Sequence, residues 1–216
     1  VEKALAIPSP WPTLDDRARG RDAKRQAVLY AAADMFLRRG YQKTKLADVA
    51  ERLNITKAAL YTYFDSKEAI LIECYRLGDQ MAQDSVAGIE KTEGAGLDKV
   101  QHFIRAYAEV ITTPFGMCLN RVDDRELSED ARRKVRGYKR DVDDLVRRLI
   151  ALGIRDGSMG STDVRMATFL LLGAINWIGF WYDPAGPETP AQIAERFVVI
   201  LTSGLRGGQL KAGEAP

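Results

Sequence analysis

The chain has 216 residues, 46% hydrophobic and 29% charged, with a formal net charge of +2, which describes a folded soluble protein. One histidine and two isolated cysteines, Cys74 and Cys118, provide no metal-ligand spacing and no disulfide framework. They also provide no nucleophile–base pair from which an enzyme could be assembled, so no catalytic residue, metal or cofactor is expected. The cysteines read as small buried apolar groups. No basic segment followed by an apolar run opens the chain, so a cytoplasmic location is expected. Charge is unevenly shared. Residues 1–68 hold 13 Lys and Arg against 9 Asp and Glu, whereas residues 69–216 hold 19 against 21. A basic N-terminal part favours a polyphosphate partner without implying sequence specificity.

Val1 to Arg21 carries Pro8, Pro10 and Pro12 and sustains no period, which predicts a flexible basic arm. Its Arg17-Ala18-Arg19-Gly20-Arg21 end either enters a minor groove or is a solvated tail. A first helix follows to about Arg39, with Leu29, Ala32, Ala33 and Phe36 as its buried stripe and Gly40 as its stop.

Tyr41 to Leu71 reads as two short helices joined by a tight turn, the outline of a helix-turn-helix. Leu46, Val49, Ala50 and Leu53 share one face, and a turn at Asn54-Ile55-Thr56 launches a second helix, about Lys57 to Phe64, buried through Leu60 and Phe64. Thr56 is placed to cap it, and its N-terminus with Lys57 favours a phosphate. Ala58 and Ala59 are small enough for close approach to base edges, where an alanine methyl can meet a thymine methyl. Tyr61 and Thr62 offer hydroxyls on the opposite face, and Tyr63 and Lys67 are suited to the flanking phosphate backbone. The same spacing also suits an ordinary surface helix pair.

These residues resemble the DNA-binding segment of the TetR family of bacterial transcriptional regulators. The match runs through Thr44, Val49, Ala50, Ile55, Thr56, Lys57, Leu60, Tyr61, Tyr63, Phe64, Ser66, Lys67 and Glu68. Lys45 departs from it, standing where Thr or Ser is usual and offering a charged phosphate contact in place of a hydroxyl. Asn54 replaces the usual turn glycine, and Asn tolerates a left-handed conformation. The resemblance implies an all-α fold of about nine helices. It would consist of a three-helix DNA-binding domain at residues 22–68, with contacts from Thr44 and Lys45 as well, and a domain at 69–216 for effector binding and dimerisation. It further implies that the helix after the reader transmits effector binding to it, and that the protein is a repressor.

That linking helix is expected from Asp65 or Ser66 to about Lys91, with Leu71, Tyr75, Gly78, Ala82, Ser85 and Ile89 on one face. Gly94-Ala95-Gly96 reads as a flexible break. Val100, Phe103, Ile104, Tyr107, Ala108 and Ile111 then repeat on a helix ended by Pro114, with His102 on its polar face. Ser128 caps a helix to about Gly153, with Val135, Tyr138, Val142, Leu145 and Leu149 inward and its arginine clusters solvated.

Met166 to Tyr182 contains no charge over seventeen residues. A helix apolar all round must be covered all round, and it falls short of the roughly 20 residues of a membrane span. Thr189-Pro190-Ala191-Gln192 opens the next helix as a capping box. The helices at 163–182 and 190–204 are the expected homodimer interface, which would set two readers about 34 Å apart on a near-palindromic operator. Phe103, Tyr107, Phe115, Met117, Tyr138, Phe169 and Trp177, with Arg121 and Asn176 as polar anchors, are either an effector pocket or plain core. Leu170 to Gly186 is similar to TetR-type regulators of lipid or steroid breakdown, which implies a small apolar or acyl-CoA-like effector. The alternatives are a regulator whose C-terminal domain only dimerises and a helical small-molecule-binding protein.

Overall fold

The computed structural model describes residues 17–205 apart from 124 and 126. As expected, the described residues are all-helical, forming nine α-helices with no strand. They are α1 (Arg17–Arg39), α2 (Leu46–Arg52), α3 (Lys57–Tyr61), α4 (Lys67–Ser85), α5 (Gly96–Ile111), α6 (Pro114–Arg121), α7 (Glu129–Arg155), α8 (Val164–Trp181) and α9 (Pro190–Ser203). Helix α1 begins at Arg17, so the basic run from Arg17 to Arg21 forms its opening turns and not an extended arm. Residues 1–16 of the expected arm lie outside the described residues.

The helices form two compact units. The first contains the described residues up to Gly78 together with Thr113–Val135. Its core takes in the predicted stripes of α1 and α2 and Leu60 and Phe64, with Ile70, Leu71, Cys74 and Tyr75 of α4. Gly40 ends α1 at φ 84°, as its lack of Cβ permits. Pro114 does more than end the preceding helix. It occupies the first turn of α6, where a missing N–H is harmless, and Thr113 caps that helix by accepting from Gly116 N at 3.1 Å. Phe115 of α6 packs on Tyr30 of α1, ring centroids 4.7 Å apart. The Tyr75 hydroxyl donates to the Val122 carbonyl at 3.0 Å. Both cysteines are buried free thiols, and burial pushes the Cys74 thiol well up.

The second unit contains Asp79–Thr112 and the described residues from Arg136 onward. Helix α4 stops at Ser85, short of the expected Lys91, and after Gly88 at φ 76° the residues Ile89–Lys91 form a single 3-10 turn. Helix α5 is the centre, with all six residues of its predicted apolar stripe buried and His102 exposed. Gly96 is a close-packing residue and not part of a free break, because a Cβ there would lie 2.2 Å from Gly153 N of α7. The turn after α7 caps α5: Gly96 N donates to Asp156 Oδ2 at 2.7 Å and Leu97 N to Ser158 Oγ at 3.0 Å. On α7, Val135, Val146, Leu149 and Ile150 are buried, while Tyr138, Val142 and Leu145 are only half-buried. The α7 arginines pair locally: Arg133 with Asp130, Arg147 with Asp143, and Arg148 with Glu90 at 2.8 Å.

Helix α8 is long and apolar enough by length and composition to cross a bilayer. It buries Ala167, Leu171, Ile175 and Ile178 within the core cluster that α5 and α9 share. Its other face is uncovered in the single chain. Leu170 is 67% exposed and Trp177 60%, and Met166, Phe169, Phe180 and Trp181 are exposed too. On α9, Ile200 at 70% and Val199 extend the apolar surface. The capping box at Thr189 and Gln192 forms as expected, with reciprocal bonds of 2.9 and 3.3 Å.

Candidate nucleic-acid interface

The α2–turn–α3 segment is built by local rules. Lys45 precedes α2 in extended conformation, and its N–H donates to the Asp48 carboxylate at 3.4 Å. Asn54 adopts φ 54°, the left-handed turn conformation expected of it. The Thr56 hydroxyl accepts from Ala59 N at 3.1 Å, leaving its proton free to donate to a phosphate or base acceptor. Leu60 is fully buried, which turns Thr56, Lys57, Ala58 and Tyr61 to the outside; Ala59 is half-buried. The Lys57 ammonium lies over the Tyr61 ring, 5.7 Å from its centroid, so these two side chains form one exposed cationic and aromatic ridge.

Helix α3 is shorter than the expected Lys57 to Phe64. The Thr62 hydroxyl donates to the Ala59 carbonyl at 2.7 Å, and Tyr63 N donates to Leu60 O at 3.0 Å, tightening the last turn to i+3 pairing and closing the helix at Tyr61. With its proton engaged, the exposed Thr62 oxygen faces outward as an acceptor. Five residues align too few peptides for a sizeable dipole, so the outward side chains of α3 and not its N-terminus provide the contact surface.

Two expected contact residues have structural partners within the chain. Thr44 is buried, and its hydroxyl lies 2.9 Å from the Gly40 carbonyl and 3.3 Å from that of Met35, so it pins the turn between α1 and α2. Lys67 donates to the Tyr41 carbonyl at 2.9 Å and sits 4.2 Å from the centroid of the Tyr41 ring. Its ammonium therefore ties the start of α4 to that same turn. Lys45 is exposed and Tyr63 half-buried, beside α3.

Ion pairs brace the reader from behind. Arg52 of α2 lies 2.8 Å from Asp34 of α1, and Arg25 of α1 lies 2.8 Å from Glu73 of α4. Arg76 and Arg25 hold the Glu73 carboxyl below its ordinary range despite its burial. No group of three or more His, Cys, Asp or Glu that could hold a metal occurs among the described residues.

The residues expected to line an effector pocket fall in both units. Phe103 and Tyr107 stack in the core of the second unit at 5.2 Å, and Tyr107 donates to Asn176 Oδ1 at 3.2 Å. Phe115 and Met117 are buried in the first unit, where Arg121 is half-buried. Phe169 and Trp177 do not point inward. The Arg165 guanidinium lies 5.3 Å from the Phe169 ring, and Trp177 stacks on Phe180 at 5.1 Å, both within the uncovered face of α8. A helix apolar all round gives no periodic signal to tell its two faces apart, which is why sequence spacing misplaced them. It also passed over Asp79, a carboxyl within the apolar stripe of α4 that is only 6% exposed.

An outward helix on a braced three-helix support, joined to a larger helical body, defines a DNA-binding transcriptional regulator. Residues 28–74 match the model of bacterial regulatory proteins of the tetR family, and residues 93–205 match that of the tetracyclin repressor-like C-terminal domain. The chain belongs to the TetR family of bacterial regulatory proteins. It is 27% identical to the HTH-type transcriptional repressor KstR2 of Rhodococcus jostii, over 90% of this chain and 96% of that one. Among solved structures, the ketosteroid transcriptional regulator KstR2 of Mycobacterium tuberculosis superposes with a TM-score of 0.79 at 22% identity, covering 85% of this chain and 95% of that one. AibR, solved in complex with isovaleryl coenzyme A and operator DNA, superposes with a TM-score of 0.73 at 22% identity, covering 82% and 97%.

Proposed function

We propose that the protein is a cytoplasmic homodimer that represses transcription from a near-palindromic operator and releases it when a small apolar or acyl-CoA-like effector binds. In this reading residues 22–68 read DNA and residues 69–216 bind the effector and dimerise. The observation that carries it is the outward ridge of α3. Lys57, Tyr61 and Thr56 present a charge, a ring and a free hydroxyl proton beside the small Ala58, while Leu60 anchors the helix. Lys45, Ala59, Thr62 and Tyr63 complete the proposed contact set. The exposed apolar side chains of α8 and α9 support dimerisation, since this many large apolar groups are rarely left to water. The complex of AibR with isovaleryl coenzyme A supports an acyl thioester as the effector class. Binding would shift the population toward a reader spacing that no longer fits the operator.

The test is binding to DNA from the protein's own promoter region across a salt series, for wild type, Lys57→Ala and Tyr61→Ala. Specific binding with a steep salt slope, weakened by both substitutions, is expected. Lys57→Ala should lower the slope by about one. Binding no tighter than to random DNA, and indifferent to both changes, refutes the reader assignment.

A further inference from the structure

Where α4 enters the second unit, a buried carboxyl group lacks half of its hydrogen bonding. Asp79 of α4 is 6% exposed. Its Oδ2 accepts from Gln83 Nε2 at 2.7 Å, and its Oδ1 has no partner. Three other helices bring polar groups to the neighbourhood, and none satisfies that oxygen. The Tyr107 hydroxyl of α5 directs its proton to Asn176 of α8. Asp141 of α7 is a second carboxylate whose charge acts on Asp79 in the same direction as burial, holding its proton on up to about pH 6. Burial pushes the Tyr107 phenol well up, and the charge of Asp79 adds to that. Ala82 of α4 and Phe103, Ile104, Ile111 and Ile175 belong to the apolar core cluster of the same unit.

A buried carboxylate with an open acceptor is costly to the fold, and a ligand donor placed there removes the cost. Resting on the effector-binding reading above, we propose that Asp79 is the polar anchor of the effector site and selects a ligand whose apolar body carries a hydroxyl or protonated amine. A ligand that presents an anion to this point meets the Asp79 carboxylate and is rejected. If the effector is an acyl thioester, its acyl part bears the donor.

Cyclohexanol, cyclohexylamine and cyclohexanecarboxylate are suitable probes, tested on the full chain at pH 7.5 by thermal melting and ligand-observed NMR. The alcohol and the amine should raise the melting temperature of wild type, and the carboxylate should not. Asp79→Leu should be more stable than wild type yet bind alcohol and amine at least about tenfold more weakly, as expected for loss of a hydrogen bond to a charged acceptor. Asp79→Asn keeps an acceptor but loses the charge, so it should weaken the amine more than the alcohol. The proposal is overturned if no probe binds, if the carboxylate binds as well as the amine, or if Asp79→Leu binds alcohol and amine unchanged. Decanoyl-CoA separates this from the broader reading. Release of operator by decanoyl-CoA from wild type and Asp79→Leu alike, with the probes indifferent to Asp79, leaves the thioester effector standing and removes the Asp79 anchor. Failure of thioester and probes together removes both.

Discussion

Replacing Ile200 by Glu should convert the proposed dimer to a monomer without unfolding the chain. Ile200 is 70% exposed in the single subunit and lies on α9. Full burial of an isoleucine side chain contributes about 1.5–3 kcal/mol, so covering the exposed part contributes about 1–2 kcal/mol for each subunit. In a two-fold interface each residue is counted twice, which gives about 2–4 kcal/mol before the desolvation of two carboxylates is added. At 1.4 kcal/mol per decade the dimer dissociation constant should rise by about 30-fold to 1000-fold. Sedimentation velocity from nanomolar to micromolar concentration measures this directly, and circular dichroism should show helicity unchanged because the position faces outward. A wild type that is monomeric at micromolar concentration refutes the interface, as does an Ile200→Glu variant with an unchanged dissociation constant. A vesicle flotation assay on the wild type checks the competing fate of an uncovered apolar helix, and co-flotation with lipid counts against the dimer.

Further outcomes follow from individual contacts. For Asp79 the sign is set by a carboxyl pKa raised from 3.8 to about 6 by burial first and the Asp141 charge second, with Gln83 opposing. The folded state retains its proton longer than the unfolded chain, so stability falls as pH rises from about 4 to 6 and stays low above that. Asp79→Asn should therefore match wild type near pH 4 and exceed it by about 1–3 kcal/mol at pH 7.5 in urea denaturation; a difference independent of pH would show that this carboxyl is not strained. Thr44→Val should lose about 1–2 kcal/mol of stability by removing the hydroxyl bonded to Gly40 and Met35, while leaving the salt slope of DNA binding unchanged. A reduced slope with unchanged stability would restore Thr44 as a DNA contact. Lys67→Met should behave in the same way, since its ammonium holds the Tyr41 carbonyl. Gly96→Ala should destabilise by at least about 2 kcal/mol, because the added Cβ meets the backbone of Gly153; a melting temperature within a degree of wild type would mean that this helix contact gives way easily.

Much of the reader was legible residue by residue, because its rules act over four or five positions. Thr56 caps α3, Asn54 takes the left-handed turn, and Leu60 and Phe64 are buried at helical spacing. The same holds for the stripe of α5 and the capping box at Thr189. Each depends on which neighbour lies one turn away along the chain, and a sequence states that directly.

What only the tertiary structure decided depends on partners distant in sequence. Lys67 finds Tyr41 twenty-six residues back, and Tyr107 finds Asn176 sixty-nine residues on. Asp156 and Ser158 cap a helix that begins sixty residues before them. No local rule assigns such pairs, so the sequence did not show that Thr44 and Lys67 brace the α1–α2 turn. For the same reason Phe169 and Trp177 read as pocket when they face outward. Composition shows that an apolar helix must be covered, but which side its own chain covers is settled by packing, since hydrophobic burial has magnitude and no direction.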